Sequence, residues 1–125
     1  MTRPMTFALT AMIAFAPMEA ARAGGAQPVM EIVTYQLKPD TNVAAYMDSA
    51  RATEAFLQST GAVIRRALTV DADGIWTDVI EWRSLAEAKA AEAEAMQRPE
   101  FGLFFSAIDE STVSLRHADI VWRMD

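Results

Sequence analysis

Apolar and polar positions after the amino end fall into six main segments with changing period, with one short helical turn before the last. Residues 29–37, VMEIVTYQL, are rich in β-branched and aromatic side chains and stop at Lys38, Pro39 and Asp40, which predicts a strand. Val43, Met47, Ala50 and Leu57 then recur at helical spacing. They predict a helix capped by Asp40 or Thr41, running through Thr60 and stopped by Gly61. Ala62 to Val70 and Ile75 to Arg83 read as two strands joined by the turn Asp71, Ala72, Asp73, Gly74, hence a hairpin. Ser84, Leu85, Ala86, Glu87 has the spacing of a capping box and opens a second helix ending before Pro99. A short apolar helical turn, Phe101 to Ile108, leads into a fourth strand, Thr112 to Trp122.

Strand, helix, strand, strand, helix, strand predicts an α+β, ferredoxin-like βαββαβ fold, a four-stranded antiparallel sheet with two helices on one face. A sheet covered on one side should alternate apolar and polar residues. Here both sides are apolar: Val33, Tyr35 and Leu37 alternate with Met30, Ile32 and Thr34, and Ile75 and Val79 with Trp76, Ile80 and Trp82. The last strand sets Val113, Leu115 and Val121 against Ala118, Ile120 and Trp122. The second face needs a cover, and a second copy of the same sheet, making a homodimer, is the expected one.

The amino end changes the picture of where the chain resides. Arg3, an apolar run from Phe7 to Ala16 and the box Ala21, Arg22, Ala23 have the layout of a cleavable signal peptide over residues 1–23. Residues 24–28 read as a flexible lead-in and 29–125 as the folded domain, periplasmic or secreted after cleavage. The apolar run is shorter than the roughly 20 residues of a membrane-spanning helix, so no membrane anchor is expected. The chain has no cysteine, hence no disulfide and no thiolate ligand. It carries 11 Lys plus Arg against 17 Asp plus Glu, and losing Arg3, Arg22 and Glu19 with the leader leaves 9 against 16, a net charge of −7. Such an acidic domain is a poor partner for nucleic acid and for anionic membrane surfaces. The sequence has no glycine-rich phosphate loop, so no nucleotide cofactor is expected.

The segments EIVTYQLKPD, WTDVIEWRSLAEAKAA and FFSAIDESTVSLRH resemble the dimeric α/β-barrel superfamily, near its antibiotic-biosynthesis-monooxygenase-like and NIPSNAP-like branches, over residues 29–122. The resemblance implies two sheets paired as a barrel and a pocket between each sheet and its helices. The superfamily includes cofactor-free oxygenases, haem-degrading enzymes, isomerases and a stress-related group. Its haem-degrading members use an Asn in the first strand, a Trp, and a His on a helix. The first strand here offers Thr34 and Gln36 instead, and the second helix has no His. Together with the leader, which implies export, the resemblance implies a small-molecule-binding dimeric α/β-barrel protein, and cofactor-free, monooxygenase-like chemistry on an aromatic or apolar substrate is the activity that it suggests. The alternative is a non-catalytic binding or dimerisation module, since one fold hosts many functions.

His117 is the only histidine. It titrates in the range of a general base; alternatively it is a structural residue with its ring nitrogens satisfied. One histidine per chain argues against a two-histidine iron site or a three-histidine zinc site within a subunit, so no metal is expected. With regular alternation, His117 shares a side with Leu115, Tyr35 with Val33 and Glu31, and Glu81 with Val79. If the three sides coincide, Tyr35, Glu81 and His117 form a catalytic set able to hold or deprotonate an acidic, phenol-like substrate. Otherwise Glu81 pairs with Arg65 or Arg83 and Tyr35 is a core aromatic. Trp76, Trp82, Phe105 and Trp122 are candidates for the walls of an aromatic-substrate pocket; packing in the core or dimer is the other role open to them, as it is to Phe101, Phe104 and Met96.

Overall fold

The computed structural model describes residues 27–125. The expected signal peptide and the first part of the lead-in lie outside the described residues. Strands β1 (Val29–Leu37), β2 (Val63–Val70), β3 (Trp76–Trp82) and β4 (Ile108–Asp119) form one sheet in the order β2-β3-β1-β4. Every neighbouring pair is antiparallel. Helices α1 (Val43–Ala52) and α2 (Glu54–Ser59) connect β1 to β2, and α3 (Leu85–Ala95) and α4 (Pro99–Ser106) connect β3 to β4. This is the ferredoxin-like α+β fold, with the outer hairpin strand β2 at one edge and β4 at the other.

Register decides which side chains face the helices. Glu31, Val33 and Tyr35 of β1 lie opposite Ile80, Asp78 and Trp76 of β3, and Glu31 and Val33 lie opposite His117 and Leu115 of β4. Residues directly opposite share a face, so these make the inner layer. The core between layers includes Val29, Tyr35, Trp76, Ile80 and Trp82 from the sheet. From the helices come Tyr46, Phe56, Phe101 and Phe104, while the alanines Ala88, Ala91 and Ala95 let α3 approach the sheet closely. The outer face carries the rows Arg65, Glu81, Met30, Ala118 and Ala67, Val79, Ile32, Arg116.

The helix expected over Phe101 to Ile108 spans Pro99–Ser106, β2 and β3 are shorter than expected by a residue at their ends, and three differences from the sequence expectation have a visible physical cause. The first helix is broken at Thr53, where the backbone N–H bonds back three residues to the Ala50 carbonyl at 3.1 Å rather than four. The buried Thr53 hydroxyl donates to the same carbonyl and accepts from Arg66, so a tertiary contact tightens that turn. Asn42, not Asp40 or Thr41, caps α1, its Oδ1 accepting from the Ala45 N–H at 2.9 Å. Asp40 sits at φ 63°, in the left-handed region, and the Thr41 hydroxyl turns back to the Lys38 carbonyl. Strand β4 begins at Ile108, paired with Leu37, and ends at Asp119, paired with Val29. Trp122 therefore lies beyond the last residue that has a partner strand.

Candidate functional site

Between sheet and helices is a cavity of about 300 Å3, within the size range of small-molecule sites. Val33, Ile80 and Trp82 form its sheet side, and Phe101, Phe104 and Phe105 of α4 stand on the helix side. The three phenyl rings are in mutual contact, with centroids 5.6–6.4 Å apart, as a continuous aromatic wall. Helical spacing on α4 puts positions 101, 104 and 105 on one face.

One end of the cavity is acidic. Glu31 of β1 and Glu92 of α3 line it. The Trp82 indole N–H donates to Glu31 Oε1 at 2.8 Å, and His117 Nε2 lies 2.5 Å from Glu92 Oε2. One donor atom from each of Glu31, Glu92 and His117 falls within 4.8 Å of the others. The Glu31 carboxyl is pushed up to about 8, first by burial and then by the hydrogen bond and charge of Glu92, with the Trp82 donor working the other way. Near neutrality it therefore keeps its proton and hydrogen-bonds to Glu92.

Glu110 also lines the cavity, and a further polar group there is a buried ion pair. Arg66 of β2 grips Asp78 of β3 with two bonds, Nε to Oδ1 at 3.0 Å and Nη2 to Oδ2 at 2.7 Å, and its Nη1 donates to Thr53 at 2.8 Å. Beside it the hydroxyls of Tyr35 and Tyr46 share a hydrogen bond. Burial drives the Tyr35 phenol well above the usual range, and pushes Tyr46 up to about 12. Both remain protonated near neutrality and offer hydrogen bonds rather than a base.

Of the residues singled out from sequence, Tyr35, Trp82 and Phe105 line the cavity. His117 is on the same face but meets the cavity through Glu92. Glu81 is not with them: its register with Met30 and Arg65 puts it on the outer face, where it is ion-paired with Arg65 at 3.3 Å and with Arg123. The expected set of Tyr35, Glu81 and His117 on one face therefore does not form, because Glu81 has the opposite parity in β3 to Asp78 and Ile80. Trp76 is buried in edge contact with Tyr46, centroids 5.1 Å apart, outside the cavity lining. Trp122 is 76% exposed.

Sequence reading missed Glu31, Glu92, Arg66 and Asp78 as site residues. For Glu31 and Asp78 a signal existed: each is a carboxylate on the same strand side as bulky apolar residues, in VMEIVTY and IWTDVIEW. For Glu92 there was none, since AEAKAAEAEA presents Glu87, Glu92 and Glu94 alike.

The likeness to known structures is strong in shape. A putative antibiotic biosynthesis monooxygenase from Bordetella bronchiseptica superposes with TM-score 0.65 at 14% identity, over 77% of this chain and 99% of that one. Another putative antibiotic biosynthesis monooxygenase, from Nitrosomonas europaea, gives 0.61 at 12% identity, over 81% and 96%. The fold is ABM-like. SnoaB from Streptomyces nogalater, a cofactor-independent oxygenase, shares the ABM-like fold with TM-score 0.55 at 17% identity, over 80% and 97% of the two chains. No family profile matches the sequence, and no curated protein is similar to it in sequence.

Proposed function

We propose that the protein is a cofactor-independent oxygenase that acts on a small, flat aromatic molecule bearing an ionisable hydroxyl. The observation carrying this reading is the shape and chemistry of the cavity: an aromatic-walled slot of about 300 Å3 ending at Glu31, Glu92 and His117. A ring lying along Phe101, Phe104 and Phe105 presents its hydroxyl to Glu92, whose carboxylate is held by His117. Proton acceptance there leaves an electron-rich ring in an apolar slot, and that ring supplies the electrons to dioxygen. The ABM-like fold and the likeness to a cofactor-independent oxygenase support the reaction class. The same reading holds the protein to be exported after removal of residues 1–23 and to function as a homodimer.

The test uses protein freed of metal with a chelator, a panel of polycyclic phenols and hydroquinones, and an oxygen electrode. Oxygen uptake above the uncatalysed rate is expected, falling by about 100-fold or more in Glu92→Gln, the usual scale for loss of an acid–base group, and by less in His117→Asn, which loses only the group that holds Glu92. Leu115→Trp, at a half-exposed lining position, should fill the slot and remove ligand-induced thermal stabilisation while leaving the ligand-free melting temperature within a few degrees. Ligand stabilisation without oxygen uptake on any member of the panel would favour a binding module, and no stabilisation at all would sink both readings.

A further inference from the structure

Three carboxylates are buried in the sheet, Glu31, Asp78 and Glu81, at 7, 6 and 1% exposure. Burying an ionised carboxylate is costly unless a cation answers it or it takes up a proton, as Glu31 does beside Glu92 in the ion-free site. Asp78 is gripped by Arg66, and Glu81 is paired with Arg65 and Arg123. Among the described residues Glu31 has no Lys or Arg. Its partners are the Trp82 indole N–H and a second carboxylate, Glu92, whose other side-chain partner among the described residues is the imidazole of His117. Where the other two buried acids have guanidinium groups, this one has converging ligand atoms.

We propose that Glu31, Glu92 and His117 form a binding site for one divalent first-row transition-metal ion at the acidic end of the cavity. This goes beyond the oxygenase reading and does not depend on it. Two carboxylate oxygens and one imidazole nitrogen suit zinc, cobalt, manganese or ferrous ions. An all-oxygen shell would suit calcium or magnesium, and thiolates cuprous copper. The three donor atoms lie within 4.8 Å of one another, and an ion with bonds of about 2.1 Å wants neighbouring ligands roughly 3 Å apart. The adjustment falls on Glu92, whose oxygen must draw back from its 2.5 Å contact with His117. Glu31 and His117 sit directly opposite on adjacent strands and supply a fixed edge. The Trp82 N–H occupies Oε1 of Glu31 and so orients the carboxylate with Oε2 toward the ion, the outer-shell arrangement common around metal ligands. Three protein ligands leave at least one coordination position open toward the apolar slot, the pattern of sites that bind a further molecule.

The test is a titration of tag-free, chelator-stripped protein with Zn2+ by calorimetry and with Co2+ by visible absorption, with no organic ligand present. One ion per chain is expected, with a cobalt d–d band. Glu92→Gln and His117→Ala should each weaken binding by about 100-fold or more, and Trp82→Phe, which loses only the orienting bond, by about 10-fold. Glu94→Gln, the same charge change at an exposed site on α3, should leave affinity unchanged. Both ligand variants change half-buried side chains, and the far-ultraviolet spectrum of each shows whether it is folded. Absence of binding, or binding that survives in whichever of the two variants is folded, overturns the site. Oxygen uptake is read on chelated protein, so its failure leaves this result untouched and the reverse also holds.

Discussion

Arg66 ties Asp78, Thr53 and Phe104 together in the inner layer. Its guanidinium makes two bonds to Asp78 and one to Thr53, and its carbon Cζ lies 5.6 Å from the centroid of the Phe104 ring. Both partners of the ion pair are largely buried, with side-chain exposures of 14% and 8%. Removing the cation alone leaves a buried carboxylate without a counter-charge. Arg66→Met should therefore cost about 3 kcal/mol or more in urea-unfolding free energy. The double variant Arg66→Met, Asp78→Leu should recover most of that loss, because no uncompensated charge remains; equal losses in the single and double variants would mean that Arg66 acts only through packing. At this scale the sequence was half legible. Alternation put Tyr35 with Glu31 and Glu81 with Val79, and the structure has those pairs on shared faces. Alternation cannot say which face of one strand meets which face of the next, and that relative register separates Glu81 from Tyr35 and His117.

Elements were more legible than contacts because each has a local cause. The range of β1 agrees with the expectation, and those of β2 and β3 differ by a residue at their ends. The cap of α3 was also visible: Ser84 Oγ accepts from the Glu87 N–H at 3.2 Å, while the hydroxyl donates to Glu87 Oε1 at 2.9 Å. The Glu87 side chain thus returns to the serine hydroxyl rather than to the backbone N–H of a reciprocal capping box. Ser84→Ala should cost about 1 kcal/mol, the ordinary value for a lost N-cap, and an unchanged unfolding midpoint would show that packing of Ala88, Ala91 and Ala95 alone holds the helix. The break between α1 and α2 was not legible, since Arg51, Ala52, Thr53 and Glu54 carry no Gly or Pro. At the break the Thr53 hydroxyl is held by Arg66, which lies 13 positions along the chain, a contact that the local sequence does not announce. The limits of β4 likewise depend on where β1 offers partners, not on the composition of β4.

For the whole molecule, the outer sheet face is the unfinished surface. Ile32, Val79 and Ala67 run as one apolar row across the three strands, bordered by Met30 and Ala118. The tail beyond β4 adds Val121, Trp122 and Met124, each more than three-quarters exposed, and Arg123 ties that tail to Glu81 on the same face. Apolar patches of this kind are seldom left to water in a soluble chain. A second copy is the occupant we propose, because an isologous sheet-to-sheet contact covers both copies at once with one patch. It is also the pairing that the resemblance to dimeric α/β barrels implies. Light scattering after size exclusion should give twice the chain mass at micromolar concentration. Ile32→Asp places a charge at the centre of the row, where an unanswered carboxylate costs several kcal/mol on burial, so the dimer dissociation constant should rise by about 1,000-fold. The cavity lies on the opposite face of the sheet, so this variant should keep its response to Zn2+ and to aromatic ligands. A wild-type chain that stays monomeric at micromolar concentration would refute the second copy, and an Ile32→Asp chain that remains dimeric would move the interface off the sheet.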